Sequence, residues 1–143
     1  MRDLYGHLPI QNFVNTQINP TESTISQHAA LTALRGPQDV VATMVDAYRE
    51  RRDAAIGQLS AAGIPSVRPG GSFFLMADIG HSGLDSWSFS RELLKQTGVA
   101  VVPGAAFGPA GDRFVRISLA AAMDVVVEGT RRIGAFAATP RAA

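Results

Sequence analysis

The chain contains no cysteine. That absence excludes disulfides, thiolate metal sites and thiol nucleophiles. It also lacks an excess of either charge: 13 basic and 12 acidic residues leave a formal net charge of +1. Such a balance gives no electrostatic case for binding nucleic acid or an anionic membrane surface. No apolar run approaches the roughly 20 residues of a membrane-spanning helix. Residues Met1 to Pro9 carry one arginine and one aspartate and no apolar core, so they do not read as a signal peptide. A soluble, cytoplasmic protein is the expectation. What remains is ordinary globular material. At 143 residues and 46% apolar, the chain is one domain's worth and can bury one core.

Residues 1–23 resist reading, because Pro9, Pro20 and the polar run Asn15-Thr16-Gln17 break any periodicity. Thr24 to Leu34 predicts a short helix, with Gly36 in the place of a helix C′ residue and Pro37 in the first turn of the next helix. That next helix is the clearest element. Val41, Met44, Val45, Tyr48, Ala55, Ile56 and Leu59 fall at helical spacing on one face, and Gly63 ends it. The period then changes. Ser72 to Ile79 predicts a buried strand after Pro69-Gly70-Gly71, and Gly80 to Gly83 a turn. Asp85 is placed to N-cap a helix from Ser86 to Thr97, closed by Gly98. Val99 to Val102 predicts a second strand, stopped by Pro103-Gly104, and Arg113 to Leu119 a third. The last helix runs from about Met123 to Phe136, with Met123, Val126, Val127, Thr130 and Ile133 inward, and a frayed tail follows. The predicted fold is α+β: a small, mostly antiparallel sheet covered on one face by helices.

Few residues invite chemistry. Gly80-His81-Ser82-Gly83 lies between a strand and a helix, as a nucleophile elbow would, but its second glycine comes one residue early and no histidine follows His81. A plain turn is the better reading. His7, His28 and His81 share no metal-binding spacing with one another or with a carboxylate. No dinucleotide or P-loop glycine pattern occurs. Arg49, Arg51, Arg52 and Asp53 form a mixed cluster, most simply a solvated helix face. Arg116 differs, because it sits in mid-strand within Phe114-Val115-Arg116-Ile117-Ser118. Alternation puts Val115 and Ile117 on one face and Phe114, Arg116 and Ser118 on the other. Such an arginine either solvates an outer face or is buried with a partner, and pattern alone favours the outer face.

Three segments change those odds. They are Ser26-Gln27-His28-Ala29-Ala30-Leu31-Thr32-Ala33-Leu34, then Arg68-Pro69-Gly70-Gly71-Ser72-Phe73-Phe74-Leu75, then Gly98 to Gly108 (GVAVVPGAAFG) followed by Arg113 to Ser118 (RFVRIS). In this order and spacing the chain resembles the small, C-terminal domain of class I/II pyridoxal-phosphate-dependent aminotransferases (fold type I). The resemblance implies a junction helix before the sheet, a domain over residues 23–137, a poorly matched remnant of the large domain over 1–22, and a frayed tail over 138–143. It implies amino-group transfer between an amino acid and a 2-oxo acid, homodimers, and a small domain that closes over its substrate. It also implies that Arg116 clamps the substrate α-carboxylate, a task suited to the planar guanidinium fork.

The same resemblance implies an N-terminally truncated member. The family's pyridoxal phosphate is held by a Schiff-base lysine in the large domain. The only lysine here is Lys95, in Glu92-Leu93-Leu94-Lys95-Gln96. It is expected on a helix surface, with Phe89, Leu93 and Leu94 pointing the other way. No catalytic or cofactor-binding residue is therefore assigned, and the chain is expected to be inactive alone. The alternative is a non-catalytic domain that binds a small carboxylate or a partner.

Overall fold

In a computed structural model, residues 23–139 are described. The remnant expected over 1–22, with His7, and the end of the tail over 140–143 lie outside the described residues. The chain divides between Ala42 and Thr43 into two units.

The first unit holds helix α1, Thr24–Arg35, one residue longer than expected. It buries none of its residues, and Ile25 and Leu34 are about 80% exposed, at 81% and 79%. Gly36 does follow it, but not as a left-handed C′ glycine. Its backbone is extended, with φ −77° and ψ −179°. The cause lies one residue on: Pro37 disfavours helical geometry in the residue before it and drives it toward the extended region.

Helix α2, Asp39–Ala61, begins in the first unit and runs on into the second. Its apolar stripe is continuous in sequence yet covered only in part. Ala55 and Leu59 are fully buried and Tyr48 and Ile56 pack against the core, whereas Val41, Met44 and Val45 are exposed. The single apolar face read from the spacing is thus covered over its second half.

The second unit is built on a four-stranded sheet of order β1-β2-β4-β3, antiparallel throughout. The strands are β1, Ser66–Val67; β2, Phe74–Asp78; β3, Val102–Pro103; and β4, Phe114–Ser118. The strand expected over Val99 to Val102 shrinks to two residues that include Pro103. With only β4 to pair it, β3 is an edge strand, where a residue without an N–H is tolerated. β1 was not foreseen, because two residues between Pro65 and Pro69 carry no readable alternation.

Register makes the two faces of the sheet explicit. Leu75 lies opposite Ile117 and Ala77 opposite Val115, and all four are buried. Onto this face pack helix α3, Ser86–Thr97, and helix α4, Met123–Ala137, with the second half of α2. Asp85 caps α3 as expected, its carboxylate accepting from the Trp87 and Ser88 amides, and Gly98 closes it in the left-handed region at φ +72°. Phe89 and Leu93 are fully buried, and Phe89 meets Phe136 of α4 edge to face at 5.1 Å. Two stripe residues are corrected. Leu94 is exposed beside Lys95, one residue and some 100° of helix past Leu93. Met123, the first residue of α4, is also exposed, the buried stripe beginning at Val126. No helix among the described residues is long and apolar enough to cross a membrane.

Candidate functional site

The other face of the sheet carries a different row. Val67 lies opposite Met76, Met76 opposite Arg116, and Arg116 opposite Val102, so Arg116 sits between two apolar cross-strand neighbours, Met76 and Val102, in the middle of the sheet. Two phenylalanines close on it. The guanidinium carbon lies 4.0 Å from the ring centroid of Phe74 and 4.6 Å from that of Phe107. Both distances fall within the range in which a cation is attracted to a ring's negative face. Phe74 reaches it diagonally from β2, where it pairs with Ser118. Phe107 comes from the loop between β3 and β4 and is itself 57% exposed.

That loop is tied down at both ends. After β3 the chain makes a short 3-10 turn, Gly104–Phe107, and a second, Pro109–Gly111. Gly104 and Gly111 stand back to back. A Cβ on Gly104 would come within 2.1 Å of the Gly111 carbonyl oxygen and 2.6 Å of that of Phe114, so only glycine permits this approach. The fully buried Ser86, at the start of α3, completes the tie. Its hydroxyl donates to Asp112 Oδ1 at 3.0 Å and accepts from the Ala105 amide at 3.2 Å, and its own amide donates to Asp112 at 3.2 Å. The sequence Pro103-Gly104 through Asp112 is thereby folded back on β4, with Phe107 at its tip side.

Electrostatically, Arg116 stands apart from the arginine three residues before it. Arg113 meets Asp78 through two nitrogens, Nη2 to Oδ2 at 2.6 Å and Nε to Oδ1 at 3.2 Å. That hydrogen bond, with the Gly80 amide also donating, holds the Asp78 carboxyl below its usual range. Asp78 is the only acidic residue in the four strands, and Arg113 engages it. Among the described residues no hydrogen bond or ion pair engages Arg116, and its Nε is buried with no acceptor. Left so, a buried donor costs about 1–3 kcal/mol. The guanidinium is held by rings rather than by hydrogen bonds, and its capacity for an anion is unspent.

Of the other residues weighed in the sequence, none joins this site. His81 and Ser82 lie in the 3-10 turn Gly80–Ser82, and the Ser82 hydroxyl accepts from the Leu84 amide, as a turn residue does. His28 lies in α1 and Lys95 on the exposed side of α3. A groove of about 560 Å³ lies between Gly98–Val101 and α4, but Arg116, Phe74 and Phe107 do not line it. Sequence reasoning missed Phe74 and Phe107 as partners of Arg116. Both stood inside the motif segments, yet nothing in a one-dimensional pattern brings positions 74, 107 and 116 together; only the β2–β4 register and the folded loop do.

The fold is an antiparallel α+β layer with a ring-flanked arginine on the sheet face away from the core. The family model "Aminotransferase class I and II" matches residues 8–128, and the chain belongs to that family. It is 39% identical over 136 residues to an aspartate/prephenate aminotransferase of Cereibacter sphaeroides, covering 87% of this chain and 34% of that protein. Among solved structures, it is similar to an aromatic aminotransferase from Pyrococcus horikoshii, with 40% identity, a TM-score of 0.73 and coverage of 76% of this chain and 30% of that one. It is also similar to an aspartate aminotransferase from Thermotoga maritima, with 30% identity, a TM-score of 0.75 and coverage of 87% and 31%. The chain spans about a third of the length of these relatives. The family implies pyridoxal phosphate, and the described residues do not fit it on their own. The single lysine lies on the exposed side of α3, beside the exposed Leu94 and Gln96 and one turn from the exposed Arg91, and it does not line the groove between Gly98–Val101 and α4.

Proposed function

We propose that this chain is the carboxylate-recognising part of an aminotransferase, a protein that moves an amino group from an amino acid to a 2-oxo acid, with Arg116 as the residue that grips the α-carboxylate. One observation carries this reading. Arg116 lies in the middle of a sheet, flanked by rings and with no acceptor of its own among the described residues, and the family resemblance implies the carboxylate-binding arginine at this position. Every amino acid and every 2-oxo acid bears a carboxylate next to the reacting carbon, so a fixed guanidinium there orients either substrate in the same way. Residues 23–137 would form the small domain, and α1, with its uncovered Ile25, Leu31 and Leu34, the stretch at the junction with the rest of the fold. The cofactor chemistry would come from outside these residues, and Lys95 takes no part in it.

The test is a titration of the chain with propionate, followed by the chemical shifts of the β4 backbone, against propionamide as the uncharged control. A single charge-assisted pair predicts a dissociation constant on the order of ten to a hundred millimolar for propionate and no response to propionamide. Equal responses to the two would remove Arg116 from the role. For Lys95, incubation with pyridoxal phosphate, an amino acid and a 2-oxo acid should give no transfer. Borohydride reduction and peptide mapping should find no stoichiometric adduct there; turnover with such an adduct would overturn that part of the reading.

A further inference from the structure

The proposal for Arg116 leaves open what aims it. An arginine that binds a carboxylate with two parallel hydrogen bonds must present its fork in one plane, and a long side chain left free would lose much of that advantage to rotamer entropy. In most proteins hydrogen bonds to neighbouring acceptors hold such a side chain. Here the buried Nε has none. What touches the guanidinium is Phe74 at 4.0 Å and Phe107 at 4.6 Å. Phe74 is fixed by the ladder between β2 and β4. Phe107 is more than half exposed, so core packing does not hold it; its place comes from the loop, through the Gly104–Gly111 contact and the Ser86–Asp112 tie.

Resting on the reading of Arg116 as a carboxylate grip, we infer that Phe107 and Phe74 are positioning residues for it, and that the tethered 104–112 loop exists to bring Phe107 onto the guanidinium. Aromatic faces suit this task. They attract the cation and fix its plane while occupying none of its donors, so the full fork stays available to the ligand. A carboxylate partner in the same place would hold the arginine equally well and block it.

The inference has a signature independent of any ligand. A proton over a ring face is shielded, and a buried Nε–H exchanges slowly with water, so the Arg116 Hε line of the free chain should be sharp and upfield of ordinary arginines. Phe107→Leu, at an exposed position where the fold does not depend on the ring, should move that line downfield and weaken propionate binding about two- to fivefold. Phe107→Tyr, which keeps the ring, should restore both, and Phe74→Leu should act in the same direction as Phe107→Leu. An Hε line and a propionate affinity unchanged in Phe107→Leu would overturn the inference, as would a moved line with unchanged affinity. Failure of the underlying reading looks different: Arg116→Lys would bind propionate as well as the unaltered chain while Phe107→Leu still shifted the Hε line.

Discussion

The two faces of the sheet are built from the same strands and do opposite things. On one, Leu75, Ala77, Val115 and Ile117 pack against α3, α4 and the end of α2, none more than 7% exposed. On the other, Val67, Met76, Arg116 and Val102 form a row that the helices of the core do not cover, and a cation lies in the middle of it without a carboxylate. Because side chains alternate strictly along a strand, β4 can commit Val115 and Ile117 to stability and leave Arg116 to the proposed carboxylate without either compromising the other. A like contrast separates two arginines three residues apart in sequence. Arg113 is spent on Asp78, and Arg116 is kept free by rings that hold it without consuming its donors.

The comparison breaks most visibly on the core side. Leu75 is fully buried, and Leu75→Ala should cost about 2–5 kcal/mol in a denaturant titration, with the propionate response of the folded fraction unchanged. Gly104→Ala comes next. The added Cβ meets two backbone carbonyl oxygens that cannot turn away, so the loop must shift, at about 1–3 kcal/mol. Unlike Leu75→Ala, it should also displace Phe107 and move the Arg116 Hε line. Smaller again is an acid effect. Glu128 is held at about 2 by hydrogen bonds from Arg131 and then Arg132, against an ordinary 4.5, and hydrogen bonds from Ser88 and then Trp87 hold Asp85 below its ordinary value. A carboxyl depressed in the folded state adds stability above its unfolded value and loses it as pH falls through the folded one. Stability should therefore decline from about pH 4.5 toward 2, less steeply in Glu128→Gln. An equally steep decline in that variant would place the acid sensitivity elsewhere.

Much of this was legible in the sequence. Strict alternation in Phe114 to Ser118 assigned the faces of β4, and Asp85 and Gly98 bounded α3 to the residue. The resemblance carried by the segment from Gly98 to Ser118 is to the same family whose model matches residues 8–128. What was not legible depends on neighbours in space. The continuous stripe of α2 gives no sign that Val41, Met44 and Val45 stay uncovered while Ala55 and Leu59 are buried, because periodicity reports an apolar face and not what meets it. Gly36 shows a local rule outweighed by its neighbour, since Pro37 outvotes the C′ preference for left-handed geometry. The partners of Arg116 were hidden by sequence distance: 42 residues separate it from Phe74, and the register of β2 on β4 spans that gap.

The smallest expected effect on stability is also the most direct test of the central claim, that this sheet keeps its ligand chemistry on one face and its stability on the other. Among the described residues Arg116 has no hydrogen bond to lose, and lysine retains the charge and some of its attraction to the rings. Arg116→Lys should then change the unfolding free energy by less than about 1 kcal/mol. The same substitution replaces a planar fork by a point charge, and should weaken propionate binding at least several-fold. The measurement is a pair of titrations on the chain and its Arg116→Lys variant, one with denaturant and one with propionate. Unchanged stability with weakened binding is the predicted result. A variant that unfolds far more easily while binding propionate as before would make Arg116 a structural arginine and contradict the division between the two faces.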